Sequence, residues 1–319
     1  MGGCAAALNA PMKTKRQAHD IPQTLNAAII VLQLAAIATC VWMCRSATGW
    51  KLLVLAAAFG LVMNSVYAVV HEAEHRILFA NVWFNEAAGT LMALFFPAPF
   101  HLLRQGHLGH HMRNRSDDEA FDLYFAEDNR LWKHCVLYGI LTGGYWLFVV
   151  AGNVAVLLLP FLYEEKYWQF DRASVAFLRA FNARYRRTIQ AEAALAIGLH
   201  VAIVVTLQIP LLRYGCMYAA FGFLWSAMQY VHHYGTKRDV LGGARNLWLG
   251  QPLDLLLLNH NWHRTHHENP TIPWTWLPSH GEQEKGLRGF LPWAYLKMWR
   301  GPQLATEHVE NRYAGRTIA

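Results

Sequence analysis

Four histidines crowd one short stretch, NHNWHRTHHENPTIPW: His260, His263, His266 and His267. They belong to a wider pattern. His71 and His75 form HxxxH. His107, His110 and His111 form HxxHH, and His263, His266 and His267 form a second HxxHH. On a helix, positions i, i+3 and i+4 share a face, so each cluster is expected to aim its imidazoles at one point. Neutral imidazole suits iron, zinc and copper. A tetrahedral zinc takes at most four protein ligands. The eight clustered histidines exceed that, so two ions, each with an open position, are expected. His233, in QYVHHYG at the end of an apolar run, is a ninth candidate. His232 and His260 stand between ligand, hydrogen-bonded support and neither. The remaining histidines, His19, His101, His134, His200, His280 and His308, read as ordinary polar boundary residues.

A competing motif lies in the first cluster. HEAEH also matches HExxH, the zinc-protease pattern, with Glu72 as general base. That reading leaves six or seven clustered histidines without a task. Other polar residues near the clusters are candidates to orient ligands: Glu72, Asp117, Asp118, Glu268 and Asp254 as acceptors of ring N–H groups, and Asn259 through water. The five cysteines, Cys4, Cys40, Cys44, Cys135 and Cys216, form no CxxC pair, so neither a zinc ribbon nor a disulfide framework is expected.

The elements that must position these histidines are apolar. Of 319 residues 54% are hydrophobic and only 15% charged, against about 25% charged in soluble domains. Mean hydropathy is +0.14. This composition predicts an all-α integral membrane protein, read as one domain over 1–319. A tail over 1–24 precedes a core of about 50–280, and 281–319 forms a C-terminal tail. The start, MGGCAAALNA, has Ala6 where myristoylation wants Ser or Thr. The net charge of +7 is assigned to a cytoplasmic membrane face rather than to nucleic acid, since no nucleic-acid-binding motif occurs.

Four spans are expected, over 27–44, 52–70, 191–212 and 216–231, the last two around a tight turn at Arg213–Gly215. Residues 82–100 are expected to form a buried or in-plane helix pair. Residues 131–163 are broken by glycines at 143, 144 and 152. If the histidine clusters share one site, crossings between them must be even in number. The basic segment 164–188 must also face the cytoplasm. Both arguments make 131–163 an in-plane or re-entrant element. The result is four spans with a cytoplasmic, histidine-rich, two-metal cap. The segments LVMNSVY and FGFLWSAMQY are expected to line a tunnel between the spans.

Three ordered histidine boxes, HEAEH, HLGHH and HRTHH, together resemble the membrane fatty acid desaturase and hydroxylase superfamily over residues 71–278. HEAEHR and QYVHHYG are similar to alkane hydroxylase motifs, with Gln229 and His232 departing from that branch's Asn and Glu. HRTHHENPTIPW is closer to the acyl desaturases. The resemblance implies a non-haem di-iron centre with molecular oxygen as co-substrate. It implies His71, His75, His107, His110, His111, His233, His263, His266 and His267 as ligands. It further implies desaturation of a fatty acyl chain, or hydroxylation of an alkane or lipid as the alternative. No haem segment is read in the sequence. Electrons are therefore expected from a separate ferredoxin, rubredoxin or cytochrome-type protein.

Overall fold

A computed structural model describes residues 19–314 and 316–318. Cys4 and Ala6, with most of the expected N-terminal tail, lie outside the described residues. The described chain is mainly helical. In order come α1 (Gln23–Cys44), α2 (Gly49–Glu74), α3 (Val82–Phe95), α4 (Phe100–Arg113), α5 (Arg130–Leu141), α6 (Gly144–Leu158), α7 (Arg172–Ala180), α8 (Arg186–Thr206) and α9 (Leu211–Val231). Four shorter helices follow: α10 (Gln251–Leu256), α11 (His263–Glu268), α12 (Leu277–His280) and α13 (Leu291–Met298). Two minimal parallel ladders close the cap. β1 (Leu123–Tyr124) pairs with β4 (Gln303–Leu304), and β2 (Leu247–Trp248) with β3 (Gly289–Phe290).

α1, α2 and α8 are long and apolar enough to cross a membrane, and the candidate spans number up to five if two bent helix pairs are each one span. α9 has the same length as a span but carries Arg213 and Gln229. Large apolar side chains stand exposed along α1 and α8, among them Val31, Leu32, Leu195, Val201 and Val205. Such a belt is the surface a bilayer covers.

α2 is the central helix. Residues 63–74 are all buried, and α2 packs along α9, α1 and α3. The main apolar core runs along this contact, with Phe59, Met63, Val66, Phe96, Phe221 and Trp225 at its centre. α2 and α9 run the same way, so both deliver their C-terminal histidines to one end. At the opposite end Arg213 donates to the Arg45 carbonyl, tying the α1–α2 turn to the start of α9.

The expected breaks are partly relocated. FPAPF separates α3 from α4 with a bend of 100°. Gly143, at φ 95°, separates α5 from α6 with a bend of 93°. That left-handed backbone is one glycine adopts without a Cβ penalty. Gly152 does not break the chain, because it lies inside α6. The turn expected at Arg213–Gly215 lies instead at Gln208–Pro210, and Arg213–Gly215 is helical. Proline explains the shift. It restricts Ile209 to extended backbone and pre-sets the φ of a helix start.

Candidate metal centre

Each histidine cluster sits where an element ends. His71 occupies the last turn of α2 and His75 caps it. Asn85, buried at the start of α3, fixes this end: its Nδ2 donates to Ala73 O at 2.9 Å while its Oδ1 accepts from Leu78 N at 3.2 Å. His107, His110 and His111 lie on the C-terminal half of α4. His233 follows α9 directly. His263, His266 and His267 lie on the single short helix α11. That helix is held by Asn246, whose Oδ1 accepts from Thr265 N and whose Nδ2 donates to Thr265 Oγ1.

The nine ring nitrogens expected as ligands gather into two groups. One holds His71, His75, His107, His111 and His266. The other holds His110, His233, His263 and His267. Within each group the ligand atoms lie within 4.8 Å of one another. Neither HxxHH cluster aims at one point, contrary to the expectation from helical spacing. In each, the i and i+4 histidines enter one group and the i+3 histidine enters the other. Helix geometry supplies the reason: consecutive residues diverge by about 100° at 3.6 per turn.

The distances fit metal ions. Nε2 of His107 lies 2.7 Å from that of His75 and 3.1 Å from that of His111, which is 3.0 Å from that of His266. In the second group, Nε2 of His110 is 3.2 Å from those of His233 and His267, and His233 is 2.9 Å from His263. Two metal–nitrogen bonds of about 2.0–2.1 Å at right angles place their nitrogens about 3 Å apart. Nε2 of His71 is buried with no hydrogen-bond partner among the described residues. A cation would satisfy it.

Burial pushes the rings of His233, His263, His266 and His267 well below the usual imidazole range, and neighbouring histidines add to the effect. They are neutral at pH 7, the form that binds metal. Two of the rings have a partner on their far nitrogen. His110 Nδ1 meets Glu119 Oε1 at 2.7 Å, and His233 Nδ1 meets Gly243 O at 2.9 Å. Burial alone would raise the Glu119 carboxyl, but His110 and Arg113 together hold it below its ordinary value. Glu119 is therefore ionised. Glu119, rather than its expected neighbours Asp117 and Asp118, is the carboxylate beside His110. Its position nine residues beyond His110 carried no periodic signal.

The other carboxylates go elsewhere. Asp117 pairs with Arg238 and His308, and Asp118 accepts from Asn311. Glu268 pairs on the surface with Arg264. Asp254 is buried and receives Leu249 N, Asn261 Nδ2 and Arg288 Nη2, which fixes the segment leading into α11. Asn259 donates to Trp274 O. Glu72 lies 3.9 Å from His71 Nδ1 and accepts from Trp274 N at 3.0 Å, so it braces the loop after α11 rather than facing an open metal position.

Two further histidines border the centre without joining either group. The His260 ring is 4.7 Å from that of His71 and 5.0 Å from that of His263. His232 is fully buried, 4.6 Å from His263, with Nδ1 3.2 Å from Arg245 O. The six boundary histidines stay outside. His101 binds Glu192, His134 the Arg130 carbonyl, His200 Tyr214 and Leu94 O, His280 the Trp276 carbonyl and His308 Asp117. His19 packs on Trp276 and His280.

Fold and site together define a class: an apolar helical protein whose helix ends gather histidines into two adjoining groups with the spacing a metal ion needs. Comparison with known proteins makes the assignment specific. The fatty acid desaturase family model matches residues 48–302, and the chain belongs to that family. It is an oxidoreductase family acting on fatty acyl chains. A curated relative, the sn-1 oleoyl-lipid 12-desaturase of Arthrospira platensis, is 24% identical over 259 residues, covering 73% of this chain and 68% of that protein.

Proposed function

We propose that this chain is an integral membrane desaturase that forms a double bond in a fatty acyl chain, using dioxygen at two non-haem iron ions. The observation that carries the reading is the division of nine imidazoles, five buried and four partly buried, into adjoining groups of five and four. His71, His75, His107, His111 and His266 would hold one ion, and His110, His233, His263 and His267 the other. An all-imidazole donor set suits iron. When bound, the iron pair supplies oxidising power toward an unactivated C–H bond that no side chain provides.

The rest of the task falls to the chain's own residues. A small cleft between α2 and α9 is lined by Asn64, Tyr67, Ala68, Met228, Gln229 and Leu257 and reaches His260. Asn64, Tyr67, Met228 and Gln229 come from the two segments expected to line a tunnel; Ala68 and Leu257 lie outside them. The cleft measures only about 10 Å³, room for about one water, so an acyl chain would enter it only as α2 and α9 part; His260 packs on His71, which would set that chain beside the first group. Holding two neighbouring methylenes there is what favours desaturation over hydroxylation. Burial of the rings keeps bulk water from the reacting carbon. Glu119 and the Gly243 carbonyl fix which nitrogen of His110 and His233 faces the centre.

The reading includes four full spans, α1, α2, α8 and α9, with the centre on the cytoplasmic face. Asn182 N donates to Gln105 Oε1 of α4 at 2.6 Å, which supports keeping the basic segment around α7 on the histidine side. Electrons would come from a separate ferredoxin, rubredoxin or cytochrome-type donor. Expression in a lipid-producing host, with profiling of lipids and hydrocarbons, tests the reading. New double bonds that disappear in His263→Ala are expected. New alcohols would move the assignment to hydroxylation. An unchanged profile with one bound zinc would refute both.

A further inference from the structure

One cavity lies away from the histidines. It measures about 210 Å³ and lies between the end of α4, helix α7 and the C-terminal segment. Three guanidinium groups line it, those of Arg113, Arg172 and Arg179, against one carboxylate, Asp118. That carboxylate already accepts Asn311 Nδ2 at 3.0 Å. Met112, Val175 and Tyr313 add apolar wall.

Arg113 is the unusual member. It is only 6% exposed. Its Nε faces Glu119 Oε2 at 3.3 Å, but its terminal nitrogens have no acceptor among the described residues. The guanidinium folds back over Gly109, where a Cβ would stand 2.5 Å from Nη1. The glycine of HLGHH thus makes room for it. A buried guanidinium with free donors is costly unless an anion completes it. Arg179 is paired with Glu165 at 2.9 Å at the surface; Arg172 is paired with surface Glu127 at 3.0 Å and with the more buried Asp128 at 3.3 Å. Surface pairs are weak and exchangeable.

We propose that this cavity binds the phosphate group of an organic phosphate, with Arg113 at its base and Arg172 and Arg179 at its rim. Guanidinium forks match phosphate oxygens in geometry and charge. The volume admits a phosphate with a few attached carbons, and the apolar wall receives them. The phosphate can belong to a lipid headgroup or to a soluble phosphate ester. The site does not depend on the redox reading, because binding can be measured without turnover.

The test uses the metal-loaded protein in zwitterionic detergent, followed by thermal unfolding and direct titration at constant ionic strength. One arm adds sn-glycerol 3-phosphate; the other adds dihexanoyl phosphatidic acid, with dihexanoyl phosphatidylcholine as control. Saturable stabilisation in the first arm identifies a soluble phosphate. Stabilisation only in the second identifies a lipid headgroup. In either case Arg113→Gln and Arg179→Gln are expected to weaken binding about tenfold or more, the loss of one charge-assisted contact. Arg179 is on the surface and away from the histidines, so its variant keeps the test valid if Arg113→Gln does not fold. Binding in neither arm, or binding unchanged in Arg179→Gln and in any Arg113→Gln that folds, overturns the proposal.

Discussion

Glu119→Gln isolates what one buried carboxylate does for one half of the centre. The amide keeps the shape and can still accept from His110 Nδ1, now 2.7 Å from a carboxylate oxygen. It removes the charge. A hydrogen bond involving an ionised group contributes about 1.5–3 kcal/mol and a neutral one about 0.5–1.5. The loss is therefore about 1–1.5 kcal/mol of support for His110 as a ligand, or about tenfold in metal affinity. Arg113, 3.3 Å from the other carboxylate oxygen, also loses its counter-charge, which adds to the cost. Only the group of His110, His233, His263 and His267 should feel this directly. The assay is metal release from purified protein into a chelator, followed by atomic absorption. One ion should leave about ten times faster than in the parent protein while the other keeps its rate. Equal release of both ions at the parent rate would refute the reasoning that Glu119 supports this group.

Three further outcomes are expected. His260→Ala should retain both ions in metal analysis, because His260 joins neither group, while His263→Ala should lose one. Gly89→Leu should lower the melting temperature, because even a Cβ there would stand 2.6 Å from the Phe100 ring and 2.8 Å from Ala73 Cβ; overpacking of this kind costs about 1–3 kcal/mol. Burial pushes His232 down to about 3 and His260 to about 4. Unfolded histidine titrates near about 6.5, so below that pH the unfolded chain holds more protons and acid favours it. Denaturant titrations of metal-free protein should therefore show stability rising with pH from about 4 to about 6.5, by about 1.4 kcal/mol per unit for each such histidine, and flattening above.

Much of the histidine clustering was legible because histidine spacing is a local property. HxxxH and HxxHH mark helix faces, and all nine candidates lie in the two groups. Their distribution was not legible. Whether His110 sides with His107 or with His233 depends on how α4 sits against α9 and α11, which is tertiary. Glu119 was missed for the same reason, since its partner His110 is neither three nor four residues away. The long apolar helices followed from composition. The α8–α9 turn lies at Gln208–Pro210 rather than at the expected Arg213–Gly215, because proline constrains the backbone more strongly than glycine frees it.

The central claim is that nine histidines hold two iron ions. The most direct measurement is metal analysis of protein purified from cells grown with iron and zinc both available. The account predicts about two iron ions per chain, falling to about one in His263→Ala, as expected for adjoining but separate donor sets. A single zinc per chain, insensitive to His263→Ala, would contradict it.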